Sequence, residues 1–159
     1  MMKAILDMTT HAFDPPIATA SRQSHAGARE LERYLVPLGR ALFAAIFIAS
    51  AIGHFSSKEI AYAAHEGVPM ASLLVPLSGV LALAGGLSVL LGYKAKLGAW
   101  MLIAFLVPVT MMMHAFWAAT DPAMAQMQQV HFMKNVALIG AALLITHFGA
   151  GPVSIDSRR

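Results

Sequence analysis

Residues 71–92 read ASLLVPLSGVLALAGGLSVLLG, 22 consecutive positions without a charged side chain. At about 1.5 Å of rise per residue, a helix of that length crosses the ~30 Å hydrocarbon core of a bilayer. A soluble helix needs a polar face for water, and this run has none. Three further apolar runs, residues 36–55, 97–117 and 131–150, flank it. Together they predict an all-α membrane protein built as a four-transmembrane-helix bundle.

The remaining composition fits that class, with 58% of the 159 residues hydrophobic and only 12% charged. The spacers between runs, residues 56–70, 93–96 and 118–130, are too short for a second domain. One transmembrane domain over 34–156 is therefore expected, with a short tail at 157–159 and a lead-in at 1–33. The lead-in lacks the continuous apolar core of a signal peptide and contains Asp14-Pro15-Pro16 before a Ser/His/Arg-rich run. It reads as a flexible cytoplasmic segment, with helix beginning near Ala26. The absence of cysteine excludes disulfides, thiol redox chemistry and thiolate-held iron–sulfur clusters.

The formal charge of +3 comes mostly from bases beside the spans, where lipid headgroups attract them, and does not point to nucleic acid. Arg22, Arg29, Arg33, Lys94, Lys96, Arg158 and Arg159 fall on one side; only Lys58 falls on the other. That bias places both termini in the cytoplasm and the longer loops outside. The expected location is the inner membrane of the cell, as a multi-pass protein. Tyr34, Tyr93 and Trp100 then mark the inner interface, and Phe55, Tyr62, Phe116, Trp117 and Phe132 the outer one.

Helices associate in lipid through close backbone approach, so small residues recurring every four positions mark packing stripes. Ala41, Ala45, Ala49 and Gly53 form one in the first span, and Ser78, Ala82 and Gly86 one in the second. Pro76 and Pro108 each remove a helical donor and predict bends.

Ionisable groups inside a span cost at least ~2.5 kcal/mol unless they snorkel or find partners, which singles out Arg40, His54, His114, Lys134 and Asn135. With cytoplasmic termini, His54, His114 and Lys134 fall at one level near the outer surface. His131, Lys134 and Asn135 share a face at i, i+3, i+4. Two readings follow: an outward polar pocket walled by Phe55, Phe116 and Trp117, or side chains that separately reach the headgroups. Arg40 lies near the inner surface with no carboxylate in any span. Its partners are then backbone carbonyls, lipid phosphate, the tail acid Asp156 or an anionic ligand.

The chain resembles the DoxX family of small four-helix membrane proteins from about Leu35 to Asp156. The resemblance lies in Gly39-Arg40, Gly53-His54-Phe55, Gly67-Val68-Pro69, Gly85-Gly86, His114-Ala115-Phe116-Trp117, Phe132-x-Lys134-Asn135 and Gly149-x-Gly151-x-x-Ser154-x-Asp156. It implies a link to quinone-connected redox systems, with Arg40, His54, His114, Lys134 and Asn135 as the polar positions. Ala82 stands where that family often has a glutamate.

Three function classes follow. The first is a quinone-interacting or accessory subunit of a membrane redox system, in which Lys134, Asn135 and a histidine donate hydrogen bonds to the ring carbonyls. No stand-alone catalytic motif is present, so electrons would come from a redox partner protein or a soluble reductant. The second is a Cu(I) or haem protein, drawing on Met111-Met112-Met113-His114, Met124, Met127, His131 and Met133, with methionine as core filler the plainer account. The third is a non-catalytic assembly or stabilising subunit of a larger membrane complex. Membrane lipids and a second copy of the chain complete the partners considered.

Overall fold

The computed structural model describes the backbone over residues 16–158 and side chains over 32–158. The first part of the lead-in, including Asp14 and Pro15, lies outside the described residues. From Pro16 the chain is helical, ten residues ahead of Ala26, and continuous with the first span.

Helix α1 (Pro16–Ala51) ends in a 3₁₀ turn, Ile52–Phe55. A short helix α2 (Ser57–His65) follows, then α3 (Ala71–Leu91), α4 (Ala95–Met113), a 3₁₀ turn at Phe116–Ala118 and α5 (Pro122–Phe148). The stretches long and apolar enough to cross a membrane are Glu32–Phe55, Ala71–Leu91, Ala95–Ala118 and Pro122–Phe148. The fourth starts nine residues ahead of its apolar run because Asp121 caps it, accepting from the Met124 amide at 2.8 Å, with Pro122 behind it in the first turn.

Helix α2 is an element the apolar runs do not announce. Ser56 accepts a hydrogen bond from the Glu59 amide at 3.2 Å, as the first residue of a Ser-x-x-Glu capping sequence does. Ala63 then packs against Ala71 and Val75 of α3, with Ile60, Val68 and Met113 around them. That contact folds the loop back onto the bundle.

Helix α1 packs on α3, α3 on α4 and α4 on α5, whereas α1 and α5 share no comparable seam among the described residues. The bundle is thus open along one side. Phe47, Val89, Leu102 and Leu106 are its largest fully buried side chains. At the α3–α4 crossing a Cβ on Gly85 would sit 2.9 Å from the Gly98 carbonyl, so only glycine permits this approach.

The packing face of α1 differs from the expected stripe. Arg40, Ala44, Phe47 and Ala51 are buried, while Ala45, Ala49 and Gly53 are exposed. Small residues still make the close approach, with Ala44 against Gly86 and Ala51 against Gly79, but they alternate with Arg40 and Phe47, and Phe47 reaches Phe105 of α4, with ring centroids 6.3 Å apart. On α3 the expected row holds better: Ala82 and Gly86 are buried and Ser78 half-buried.

Candidate functional site

Polar residues gather at both ends of the bundle, and the two ends treat them differently. At the end carrying the α3–α4 turn, Arg40 is only 5% exposed. Its Nη1 donates to the Ala150 carbonyl at 2.6 Å and its Nη2 to the Val153 carbonyl at 2.7 Å. Among the four partners the sequence left open, the guanidinium takes the tail's backbone carbonyls, and the Asp156 carboxylate also acts on its charge. The tail is itself held: the Ile155 amide donates to Leu91 O and the Asp156 amide to Gly92 O. The Asp156 carboxylate accepts from the amides of Lys94 and Ala95, at 2.8 and 3.1 Å, and so caps α4. Gly92, at φ 63°, leaves room for this knot, since a Cβ there would sit 2.4 Å from Ser154 Cβ.

At the opposite end a cavity of about 390 Å³ draws on all five helices. Its deep wall is apolar, with Ile46, Phe47, Leu81, Phe105 and Leu138, and its polar groups are Ser50, His54, Glu59, Tyr62, Lys134 and Asn135, with His114 beside them. It occupies the open side of the bundle, where α1 faces α5 across the gap. Pro108 cannot donate to the Ala104 carbonyl one turn earlier, and both residues line the cavity.

Both histidines are oriented by one ring nitrogen. His54 Nδ1 donates to the Ser50 carbonyl at 3.0 Å, and His114 Nδ1 donates to Gln128 Oε1 at 2.8 Å. In the neutral ring, Nε2 is then the acceptor. The His54 ring also meets Phe105 edge-on at 5.6 Å.

Ser50 Oγ donates to the Phe47 carbonyl at 3.2 Å, whereas Asn135, Lys134 and Glu59 stand unpaired among the described residues. Asn135 is 5% exposed, yet its amide makes no hydrogen bond among the described residues. The amide still reaches the cavity space, where a ligand can bond it. Neither Lys134 nor Glu59 forms an ion pair among the described residues.

His54, His114, Lys134 and Asn135 therefore share one cavity, and the other expected residues do not join them. His131 stacks on His114 at 5.2 Å without lining the cavity. Phe116, Trp117 and Phe132 form their own edge-to-face cluster, with centroids 5.1 to 5.8 Å apart. Phe55 and Trp117 are 53% and 56% exposed. The expected walls of Phe55, Phe116 and Trp117 are thus replaced by Phe47 and Phe105, because the ends of α1 and α4 unwind into 3₁₀ turns that carry those aromatics outward. Glu59 and Tyr62 come from α2, and their signal was Ser56-x-x-Glu59. The methionines considered for copper diverge: Met111, Met124, Met127 and Met133 are exposed, while Met112 and Met113 line the cavity. Among the described residues no three His, Asp or Glu side chains are grouped to hold a metal ion.

The sequence profile of the SURF4 family matches residues 68–159, more than half of the chain. The chain belongs to the SURF4 family. That match corrects the resemblance to the DoxX family, and what that resemblance alone implied, including a missing glutamate at Ala82, goes with it. SURF4 family membership agrees with relatives among curated proteins. Inner membrane protein YphA of Escherichia coli (strain K12) is 28% identical over 99 residues, 62% of this chain and 70% of YphA. Inner membrane protein YqjF of the same organism is 26% identical over 128 residues, 80% of this chain and 94% of YqjF. The Surfeit locus protein 4 homolog of Drosophila melanogaster is 34% identical over 74 residues, which is 45% of this chain and 27% of that protein's length. No solved structure matches the chain. This SURF4 family member is a multi-pass membrane protein.

Proposed function

We propose that the protein is an accessory component of a cell's inner membrane that holds the polar head of a bilayer-borne amphiphile in the cavity between α1 and α5. The observation that carries this reading is Asn135: a residue only 5% exposed, at the wall of a largely apolar cavity, whose amide has no partner among the described residues. The open side gives an apolar tail a path to the lipid. The bias of seven bases against one supports cytoplasmic termini, which puts the cavity in the outer half of the membrane. Two relatives named as inner membrane proteins support that location.

A quinone ring is one head that suits the lining. Its carbonyls accept from Lys134 and Asn135, and its faces lie among Phe47, Phe105 and His54. A redox role would place the protein as a subunit receiving electrons from a partner. The test is the affinity of a ubiquinone analogue for the purified protein. His114→Ala and Lys134→Ala should each weaken binding at least tenfold, and an affinity unchanged in both variants rejects the quinone assignment.

A second reading, an assembly or stabilising subunit, is favoured by the exposed row of Ala45 and Ala49 on α1, continued by Gly53 in the turn after it, which meets no other helix among the described residues. Co-purification of a partner subunit that is lost in Ala45→Leu, with the amphiphile site intact, would support it.

A further inference from the structure

Two opposite charges line the same cavity without meeting. The Glu59 carboxylate, on α2 at the cavity's loop end, and the Lys134 ammonium, on α5, make no ion pair with each other or with any described side chain. Opposite charges in a partly apolar space attract strongly unless the fold holds them apart, and here they sit on separate helices that do not pack together. Tyr62 stands one turn from Glu59 and also lines the cavity. Beside Lys134, the unpartnered Asn135 amide adds further donor capacity. The lining thus offers an anion-binding group and a cation-binding group to one ligand, above a deep wall that is apolar.

We propose that the head this site takes is zwitterionic, that of an amine-bearing phospholipid. The phosphate lies at Lys134 and Asn135, and the ammonium lies at Glu59 and Tyr62. The acyl chains leave through the opening between α1 and α5. This rests on the reading of the cavity as an amphiphile site and names its ligand class. A quinone supplies acceptors but no cation and leaves Glu59 without a counter-charge. A purely anionic lipid suits Lys134 but sets a negative head against Glu59.

The experiment places the full chain in nanodiscs of equimolar phosphatidylethanolamine and phosphatidylglycerol with added ubiquinone, strips bulk lipid with mild detergent and weighs what remains bound by native mass spectrometry. Retained phosphatidylethanolamine should exceed phosphatidylglycerol at least fivefold. Glu59→Gln should bring that ratio near one while lipid is still retained, and Lys134→Met should lower retention of both lipids. Thermal unfolding of each variant controls for folding. Soluble glycerophosphoethanolamine should fail to displace the lipid, and displacement at equal concentration would assign the site to a free head and overturn the proposal. A retained ubiquinone without lipid selectivity, or a preference that Glu59→Gln leaves intact, also overturns it but spares the amphiphile site. Retention of nothing rejects both.

Discussion

The two ends of this bundle solve the same problem in opposite ways. Each contains charged and polar groups at membrane depth, where an unpaired group is costly. At the tail end Arg40 donates twice to tail carbonyls, Asp156 caps α4, and Gly92 is shaped to the contact, leaving only Arg40 Nε buried without a partner among the described residues. At the loop end Asn135, Lys134 and Glu59 stay unpaired around open space. Paired groups of the first kind hold the fold. Groups of the second kind face open space, where a ligand can pair them.

If that distinction holds, substitutions at the tail end should damage folding in proportion to the bonds they remove. Arg40→Met should be the most harmful, at roughly 3–5 kcal/mol, because it strips both guanidinium bonds and releases the tail. Thermal unfolding in detergent would register this, and a loss below about 1 kcal/mol would mean that the knot is ornamental. Gly98→Ala comes next, at about 1–3 kcal/mol, since its Cβ would stand 2.5 Å from Ser88 Oγ and 3.0 Å from the Gly85 carbonyl. The same unfolding assay reads it. Asp156→Asn should cost about 1 kcal/mol by removing the negative charge at the start of α4 while keeping one acceptor. Hydrogen exchange at the Lys94 and Ala95 amides should rise in that variant.

How much of this could be read beforehand follows the same division. The four spans were plain from uninterrupted apolar runs, because nothing in lipid competes with a helix for backbone hydrogen bonds. Which face of each span turns inward was not plain, since an all-apolar helix has no amphipathic pattern to orient it. The period-four row from Ala41 to Gly53 therefore pointed to the wrong side of α1, and the real face includes Arg40 and Phe47, residues that a search for small side chains passes over. Helix α2 escaped notice because nine residues with Lys58, Glu59 and His65 resemble a loop by composition. His54, His114, Lys134 and Asn135 stood out because a polar residue in a span demands a reason. Their aromatic neighbours were misassigned, since Phe55 and Trp117 sit in turns whose direction depends on how the helices end. Arg40 was recognisable as a problem, but its answer lay more than a hundred residues away in the tail.

The loop end should respond least in stability and most in binding. Asn135→Leu keeps the branched shape, at a larger volume, and removes the polar atoms, so the account predicts an unfolding temperature close to that of the parent, with retained lipid or quinone falling at least tenfold. A variant that melts well below the parent while holding its amphiphile as tightly would show Asn135 to be a structural residue and contradict the assignment of a ligand site to this cavity.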